Sequence, residues 1–554
     1  MRFISKSWIM LVLFSGIFSS QAQDKYWVLF TNKDGVSFNP HEYFHPLAIE
    51  RRIKHNIPLN HYTDRPVRED YLTQVSLHAD SIKAVTRWFN GICGYFNSEN
   101  INVVAKLPFV KEIVKIESQV TLAYENESRY ATLMSDGAKK LAKSQISLMG
   151  GEYFEDKNFN GKGIRIAIFD AGFPGVDRST SFSHIRNRNG IKATYDFVKN
   201  KEFVYGYNAH GAMTLSCVGG KYGDVKLGMA TDSDFLLART EIASREPYSE
   251  EENWLQAAEW ADRHGAHIIN SSLGYTDKRY FQRDMDGKTS MITRAGNMAA
   301  SKGILVVNSA GNEGGGGWTI IGAPADADSV LAVGGLNPWT GMHTTFGSLG
   351  PTADGRLKPN VCAPAHVIAQ GKNEVKEVPG TSFSSPLTAG FAACLLQSNP
   401  DMKVMELFAA VEKSGNLYPY FDYAHGYGTP QGDRAMKNLA ESKPTFEVFE
   451  ENNLIRVKIN DESFEMIHAT FLLYISEEHQ NIHIGDESYN SASYSSLPKI
   501  PPYFYWHLED EDGKLLEYKV LNVQSQHIFH KPYEELRKKT IRMHYKGYTY
   551  VKTF

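Results

Sequence analysis

The residues best suited to chemistry in this chain lie in the stretch VPGTSFSSPLTAG at 378–390. The stretch begins as a glycine-containing loop and continues into an apolar helical segment. A serine hydroxyl at the start of a helix lies beside unpaired backbone N–H groups and the positive end of the helix dipole, which stabilise a developing anion. Ser382 is therefore a candidate nucleophile. The alternative is a capping role, because serine and threonine are common at helix starts.

Two other residues supply what a serine nucleophile needs. Asp170 follows the buried strand predicted over 164–169, and His210 opens a predicted helix. A neutral hydroxyl reacts poorly, so a histidine must accept its proton and a carboxylate must orient that histidine. Each residue alone has an ordinary explanation as a turn, cap or helix-start residue. Their combination favours serine catalysis, with Ser384 and Ser385 left as competing nucleophiles.

The elements around these residues predict an α/β fold with a doubly wound, mostly parallel sheet. Apolar strands alternate with helices, a pattern that is typical of strands buried on both faces of a sheet. In such sheets ligands bind at the carboxyl ends of the strands, where Asp170 is placed. The predicted strands are 163–169, 236–238, 267–270, 304–308 and 330–334, and the predicted helices are 211–218 and 251–264.

Three motifs resemble those of the subtilases, the subtilisin-like serine proteases. They are IAIFDAG at 166–172, His-Gly at 210–211 and GTSFSSP at 380–386. The order Asp, His, Ser along the chain is also the order of subtilisin. The resemblance extends over about residues 144–440, and the segments 345–356 and 358–364 are similar to those that precede the family's serine.

The resemblance implies a serine endopeptidase that acts through an acyl-enzyme. Ser382 would attack the peptide carbonyl, His210 would move the proton, and Asp170 would orient His210. Asn312 corresponds to the amide of the oxyanion hole, although by sequence alone it is an ordinary turn residue. The residues implied to bind an extended substrate are Ser272, Leu273, Gly274, Ser309, Ala310 and Gly311.

The chain departs from the family pattern beside His210. Ala212 and Met213 replace a threonine and a histidine, so the packing under His210 must differ. Phe383 also replaces the commoner methionine after the nucleophile. The resemblance implies no required cofactor and no catalytic metal. Many relatives bind structural calcium, for which this sequence contains no clear loop motif.

The N-terminal part predicts an exported zymogen. Residues 1–22 have a basic start, a short apolar run and a small-residue cleavage site, as in a signal peptide, which predicts a secreted or extracytoplasmic protein. Residues 23–120 predict a small α+β domain similar to the inhibitory propeptide of subtilases, with a purely structural domain as the alternative. Residues 121–143 are polar and predict an exposed linker in which processing occurs.

Within the N-terminal domain the residue pattern predicts individual strands and helices. Apolar alternation and turn residues predict strands over 26–31, 86–96 and 110–116 and helices over 70–84 and 100–106.

The C-terminal part of the chain predicts a different fold class. Residues 144–441 form the predicted peptidase domain, and alternating strands over 442–554 predict an all-β domain similar to a sandwich. Three roles fit that domain: it steadies the core, binds a substrate or partner, or attaches the protein to a surface.

Composition excludes several classes of function. A formal net charge of −4 and the lack of a basic stripe give no electrostatic basis for binding nucleic acid. The cysteines Cys93, Cys217, Cys362 and Cys394 lie far apart, which predicts neither a disulfide framework nor a structural zinc. Beyond the signal peptide no window predicts a transmembrane helix. The expected partners are extended polypeptide substrates and the chain's own propeptide, and the expected state is a monomer.

Two other functions stay open at this level. One is a surface-binding protein with an inactive protease core, which the intact catalytic set argues against. The other is a processing protease that acts on few partners. The cleavage preference is not given by the sequence, although Tyr275 and Glu313 are placed near the rim of the implied specificity pocket.

Overall fold

The computed structural model describes most of the chain. The described residues are 23–116, 135–242, 247–276, 279–436, 443–451, 454–460, 473–475, 482–484, 502–523, 526–529 and 533–554. The predicted signal peptide and the first part of the predicted linker lie outside them. Within the described ranges, no helix combines the length and the apolar character needed to cross a membrane.

The first of two compact units consists of residues 23–36, 66–85 and 89–116. Its four-stranded sheet has the order Ser81–Thr86, Gly91–Phe96, Asp24–Phe30 and Val110–Ile116, and its helices are Glu69–Ser76 and Ser98–Val104. Val75 and Val104 from the two helices share an apolar core with Val28 and Ile92 from the sheet. This arrangement confirms the α+β prediction.

Two predicted elements of this unit are wrong in extent. The helix predicted over 70–84 ends at Ser76, because the β-branched residues that follow form the strand Ser81–Thr86. The strand predicted over 86–96 begins only at Gly91, after a turn.

The second unit contains a seven-stranded sheet in which every neighbouring pair is parallel. The strand order is Val361–Pro364, Val330–Leu336, Leu305–Ser309, Ile268–Ser271, Arg165–Asp170, Asp234–Arg239 and Ile191–Asp196. This topology confirms the predicted doubly wound, mostly parallel sheet.

Both faces of this sheet are covered by helices. Ile166 and Ile168 of the strand Arg165–Asp170 share an apolar cluster with Leu387 of the helix Thr381–Ser398. Phe169 points to the opposite face, since successive strand side chains alternate. Its ring packs against Trp254 of the helix Ser249–Arg263, with 5.6 Å between the two ring centroids. Burial on both faces explains why the strands read as continuous apolar runs.

The remaining elements of this unit connect or extend the sheet. The helices are Pro40–Tyr43, Pro46–Lys54, Asp136–Ser147, Glu152–Asp156, Ser183–Asn187, His210–Gly219, Met291–Ser301, Val404–Lys413 and Gly432–Met436. The short 3-10 helices are Tyr62–Asp64, Thr180–Phe182 and Gln282–Asp284, and the hairpin strands are Lys221–Tyr222, Val225–Lys226, His366–Gln370 and Val375–Pro379.

The second part of the predicted linker is not an exposed connection. Residues 136–143 belong to the helix Asp136–Ser147, in which Leu141 and Ala142 are buried. Gln145 donates to the carbonyl of Leu227 at 2.6 Å and accepts from the N–H of Ile368 at 2.9 Å. The buried face is narrow and partly polar, so its periodicity is not visible in the sequence.

The C-terminal region is β-rich, as predicted. One antiparallel sheet contains Phe446–Glu451, Leu454–Ile459 and Gln526–Phe529, and a second contains Leu515–Asn522, Tyr503–Glu509, Thr540–Tyr545 and Tyr548–Thr553. A short pair is formed by Leu473–Ile475 and Ile482–Ile484, and one helix is Tyr533–Leu536. The two larger sheets contribute to one apolar cluster, in which Ile455 and Phe504 are buried.

The second of these sheets is joined to the domain of the parallel sheet by a polar and aromatic contact. The rings of Tyr420 and His507 stack at 4.9 Å, and His507 Nδ1 lies 2.5 Å from the carbonyl oxygen of Phe421. His507 Nε2 lies 2.6 Å from Glu509 Oε1, so both ring nitrogens have partners. Because these groups are buried, the contact favours a role of the C-terminal region in steadying the core.

Two buried histidines predict that folding is sensitive to acid. Burial lowers the pKa of His343, in the core, and of His544, in the C-terminal sheet, to about 3. In an unfolded chain the pKa of histidine is about 6.5. Between this pKa and the folded-state pKa of about 3, the unfolded state binds more protons than the folded state. The free energy of unfolding therefore falls as the pH drops below about 6.5, by roughly 1.4 kcal/mol per pH unit for each histidine.

Calorimetric melting from neutral to mildly acidic pH measures this loss. His544→Phe should flatten the pH dependence, whereas His41→Gln, a change at an exposed residue, should leave it as it is. An unchanged slope in His544→Phe would contradict the assignment.

Candidate active site

Asp170 lies at the carboxyl end of the strand Arg165–Asp170, and its side chain is fully buried. Its Oδ1 accepts a hydrogen bond from the N–H of Ala171 at 2.7 Å. His210 Nδ1 lies 2.9 Å from Oδ1 and 3.0 Å from Oδ2. Burial disfavours a charged carboxylate unless donors surround it. The carboxylate is thus placed to hold the imidazole ring with Nε2 directed away from it.

His210 is the first residue of the helix His210–Gly219, and its side chain is 28% exposed. The N–H of His210 donates to Asn208 Oδ1 at 2.7 Å, which satisfies one of the free donors at the helix start. Asn208 is a residue that sequence reasoning missed. Its signal is its position two residues before the helix, where asparagine commonly accepts from the backbone.

The altered residues beside His210 take two different positions. Ala212 is fully buried in the core, and Met213 is 8% exposed and contributes to the wall of the cleft described below. One turn after His210, the buried Thr214 donates through Oγ1 to Asp170 Oδ2 at 3.0 Å. Thr214 was also missed, because only the folded helix brings it beside Asp170.

Ser382 is the second residue of the helix Thr381–Ser398, where the first N–H groups lack intrahelical partners. The residue before this helix, Gly380, has φ of +138°, a conformation that favours glycine. The Ser382 hydroxyl donates to the carbonyl of Ser272 at 3.3 Å.

Pro386 explains the contact between Ser382 and Ser272. Proline has no N–H, so the carbonyl of Ser382, four residues earlier, receives no helical hydrogen bond from it. That carbonyl instead accepts from Ser272 Oγ at 2.9 Å. The proline therefore ties the start of this helix to the end of the strand Ile268–Ser271.

The two competing serines do not reach the cleft. Ser384 donates to the carbonyl of Pro364 at 3.1 Å, and Ser385 donates to Asn270 Oδ1 at 2.9 Å. Both are fully buried. Of the three serines in the motif, Ser382 alone lines the cleft.

Asn312 is oriented by the residue before Ser382. Its Oδ1 accepts from the N–H of Thr381 at 3.0 Å and from Thr381 Oγ1 at 2.9 Å. With the oxygen held in this way, Nδ2 is the group left to donate towards the cleft. Thr381 was not singled out from the sequence, although it lies inside the recognised serine motif.

A cleft of about 460 Å³ brings these side chains together. His210, Asn312 and Ser382 line it, and Asp170 lies behind His210. Of the predicted substrate-binding residues, five line the cleft: Ser272, Leu273, Gly274, Ser309 and Gly311. Ala310 is not among the lining residues, because it is 1% exposed and its N–H donates to the carbonyl of Val333 at 2.9 Å.

Comparison with known protein families gives two matches. A model described as the subtilase family matches residues 161–428, and a model of the peptidase S8 propeptide domain of Bacteroidota matches residues 25–131. The first range contains every side chain of the cleft described above. The chain belongs to the subtilase family. It is a serine endopeptidase with a propeptide domain.

Curated subtilases resemble this one at low identity. Alkaline elastase YaB of Bacillus sp. is 24% identical over 298 residues, which are 54% of this chain and 70% of that protein. Minor extracellular protease Vpr of Bacillus subtilis is 27% identical over 302 residues, which are 51% of this chain but only 35% of that protein.

A solved structure gives a further comparison. The crystal structure of MycP1 from Mycobacterium smegmatis is 21% identical, covers 59% of this chain and 92% of that chain, and has a TM-score of 0.44.

Further charged residues also line the cleft of this subtilase, and sequence reasoning missed them. Glu241 lies just after the strand Asp234–Arg239, Glu250 belongs to the helix Ser249–Arg263, and Lys376 belongs to the strand Val375–Pro379. Tyr275 and Glu313, placed at the rim from the sequence, are both among the lining residues. In the part of the chain that the structure describes, no group of three or more His, Cys, Asp or Glu side chains is arranged to hold a metal.

Thr214 provides a test of how Asp170 is held. We expect Thr214→Val to lower kcat by about tenfold, because a hydrogen bond to a charged group contributes about 1.5–3 kcal/mol and its loss leaves the carboxylate less well fixed. Thr214→Ser, which keeps the hydroxyl, should retain most activity. Steady-state kinetics with a peptide substrate measures both, and a Thr214→Val enzyme with wild-type kcat would contradict this role.

Proposed function

We propose that the chain is an exported subtilase made as a zymogen, which hydrolyses peptide bonds with Asp170, His210 and Ser382 as its catalytic triad. The observation that carries this proposal is the buried Asp170 carboxylate held against His210 Nδ1 at 2.9 and 3.0 Å. It lies beside a cleft that Ser382 reaches from a helix start.

The Asp170–His210 pair supports a proton-transfer role for His210. A ring that donates from Nδ1 to a carboxylate presents an unprotonated Nε2, which is the form that accepts a proton from a serine hydroxyl. The carboxylate also stabilises the imidazolium that results. His210 then returns the proton to the leaving amine, and water hydrolyses the acyl-enzyme by the same exchange.

The Ser382 hydroxyl is directed at the Ser272 carbonyl in the substrate-free protein. Catalytic hydrogen bonds are often long or misaligned before substrate binds. Rotation about the Cα–Cβ bond moves this hydroxyl within the cleft that His210 also lines. We infer that substrate binding at Ser272–Gly274 displaces the contact and frees the hydroxyl to meet His210.

The oxyanion of the tetrahedral intermediate would be held by Asn312 Nδ2 and by the N–H of Ser382. Thr381 supports this role, since it holds Asn312 Oδ1 and so directs the amine to the other side. The helix Thr381–Ser398 adds a favourable dipole at the same point. Such donors are fixed before reaction, so they cost little reorganisation when charge develops.

The substrate would bind as an extended strand along Ser272–Gly274. Main-chain hydrogen bonds at a strand edge depend little on sequence, which suits a peptidase with varied substrates. Side-chain selectivity would come from the charged lining residues Glu241, Glu313 and Lys376.

The propeptide match and the predicted signal peptide support the rest of the proposal. The matched range 25–131 precedes the catalytic match, as expected of a zymogen that is cut between the two. The relative Vpr is described as extracellular. We propose that this chain is also exported, that its propeptide inhibits it before processing, and that it works as a monomer without a required cofactor.

Replacement of Ser382 tests the nucleophile. Ser382→Ala should abolish fluorophosphonate labelling and lower kcat by about 10⁶-fold, the loss known for the equivalent change in subtilisin. Ser384→Ala is the matched control and should keep its label, because Ser384 lies away from the cleft. Labelling of the Ser382→Ala protein at another serine would overturn the assignment.

Replacement of Asn312 tests the oxyanion hole. Asn312→Ala should lower kcat by about 10²–10³-fold with little change in KM, as removal of the corresponding donor does in subtilisin. Thr381→Val should give a smaller loss of the same kind, because it removes one of the two hydrogen bonds that hold Asn312 Oδ1 and keeps the one from the backbone N–H. Asn187→Ala, at an exposed helix end, serves as the control. A rise in KM alone would indicate a substrate-binding role instead.

A further inference from the structure

One stretch of the propeptide-matched region belongs to the catalytic unit. Residues Ser37–Arg65, here called the anchor segment, lie inside the match at 25–131. They cluster with the catalytic core, whereas 23–36, 66–85 and 89–116 form the separate α+β unit. The anchor segment contains the helix Pro46–Lys54 and the 3-10 helix Tyr62–Asp64.

Arg51 of the anchor segment binds the ends of two core helices. It is 2% exposed, and its Nε donates to the carbonyl of Lys302 at 2.9 Å, just after the helix Met291–Ser301. Its other nitrogens donate to the carbonyl of Asp262, in the last turn of the helix Ser249–Arg263, and to the carbonyl of Ala266, which comes after that helix. The last carbonyls of a helix have no partners within it. Arg51 therefore supplies donors to carbonyls at the ends of both core helices.

Arg52 forms a buried ion-pair cluster with the core. Its Nη1 and Nη2 donate to the two oxygens of Asp262 at 2.9 and 2.7 Å, the bidentate geometry that favours arginine over lysine. Asp64 of the anchor segment accepts from Arg52 at 3.3 Å and pairs with Lys302 Nζ at 2.8 Å. Each of these four side chains is 2% exposed or less.

Charged side chains from both sides of the interface form this cluster. The core contributes Asp262 and Lys302, and the anchor segment contributes Arg51, Arg52 and Asp64. Burial alone would raise the pKa of Asp64, but Arg52 and Lys302 hold it below its usual value. Removing one partner of a buried pair is strongly destabilising, because the other charge is left without compensation. Departure of the anchor segment would remove the ion-pair partners of both Asp262 and Lys302.

Further contacts extend the interface. His55 Nε2 accepts from the N–H of Val404 at 2.9 Å, at the start of a core helix, and Lys54 donates to the carbonyl of Pro400 at 2.9 Å. The N–H of His45 donates to the carbonyl of Arg263 at 2.9 Å. These bonds satisfy backbone groups at three separate points of the core.

The core is shaped to accept the anchor segment closely. Gly265 has φ of +77°, and a Cβ at this residue would lie 2.7 Å from Leu47 Cβ. A Cβ at Gly303 would lie 2.8 Å from the His55 ring. The positive φ at both positions already favours glycine, and the close approach uses the space that glycine leaves.

The anchor segment lies away from the catalytic cleft. Its core partners at 262–267 and 302 precede the strands Ile268–Ser271 and Leu305–Ser309, whereas Ser272 and Asn312 follow the carboxyl ends of the same strands. No anchor-segment residue is among those that line the cleft. Substrate access therefore does not require its removal.

We propose that the anchor segment is a permanent part of the catalytic unit and stays bound after the chain is cut between residues 117 and 134. The processed protease is then a two-chain protein. A piece of the propeptide stays bound to the core beside the amino ends of the strands Ile268–Ser271 and Leu305–Ser309. This inference rests on the proposed zymogen processing, and it identifies the surface formed by Asp262, Ala266 and Lys302 as the binding site for Ser37–Arg65.

The full-length Ser382→Ala chain, with a recognition sequence for a site-specific protease inserted between 117 and 134, provides the test. After complete cutting by the external protease, both fragments should co-elute in size-exclusion chromatography and separate only in denaturant. Because the cut does not use the chain's own activity, the result is independent of whether the proposed catalytic function is correct. Separation of the fragments in native buffer would overturn the inference.

Substitutions in the cluster show which contact retains the fragment. In the same cut chain, Arg52→Gln should speed dissociation at least about tenfold, because it leaves Asp262 buried without its bidentate partner. Arg65→Gln, in the same segment but bonded to Asn60, is the matched control and should dissociate at the unsubstituted rate. Equal rates for Arg52→Gln and the control would assign retention to other residues and contradict the proposal.

Hydrogen exchange avoids any dependence on how Arg52→Gln folds. In the cut protein without further substitutions, amides of the helix Pro46–Lys54 and the N–H of Val404, which donates to His55, should stay as protected as in the uncut chain. Loss of protection at both places after the cut would show that the anchor segment leaves, and would overturn the proposal.

Discussion

A buried carboxylate needs hydrogen-bond donors around it, and Asp170 is fully buried at the end of the central strand. Its donors come from three places: the N–H of Ala171, the hydroxyl of Thr214 and the ring of His210. Two of them belong to one helix, so the need to satisfy the carboxylate fixes the start of that helix against the sheet. The orientation of His210, and hence the proposed chemistry, depends on this constraint.

The position of Ser382 in the cleft is fixed by backbone conformation and by hydrogen bonds to the backbone. Gly380 allows the turn into the helix, and Pro386 leaves the carbonyl of Ser382 free to accept from Ser272. Thr381 holds Asn312 at the same helix start. The proposed nucleophile, the proposed oxyanion donor and the strand end at Ser272 are thus joined through adjacent residues of one motif.

Sequence reasoning recovered the features that local pattern encodes. The apolar strands of the parallel sheet were predicted because their period is visible along the chain. Motifs singled out Asp170, His210, Asn312 and Ser382, and the fold places the last three along the cleft with Asp170 bonded to His210. Ala310 was assigned to the substrate site, but only the folded strand end shows it packed inward. Thr214 and the anchor segment were missed because their partners are distant: Arg52 and Asp262 are separated by 210 residues, and no local pattern reports such a pairing.

The central claim is that Ser382, His210 and Asn312 act together on one peptide carbonyl group. A crystal structure of the protein with a bound peptidyl boronic acid tests it most directly, because boron mimics the tetrahedral centre. The account predicts a covalent bond from boron to Ser382 Oγ, with one boronate oxygen about 2.7–3.1 Å from Asn312 Nδ2 and from the N–H of Ser382. Attachment to another residue, or a boronate oxygen directed away from Asn312, would contradict it.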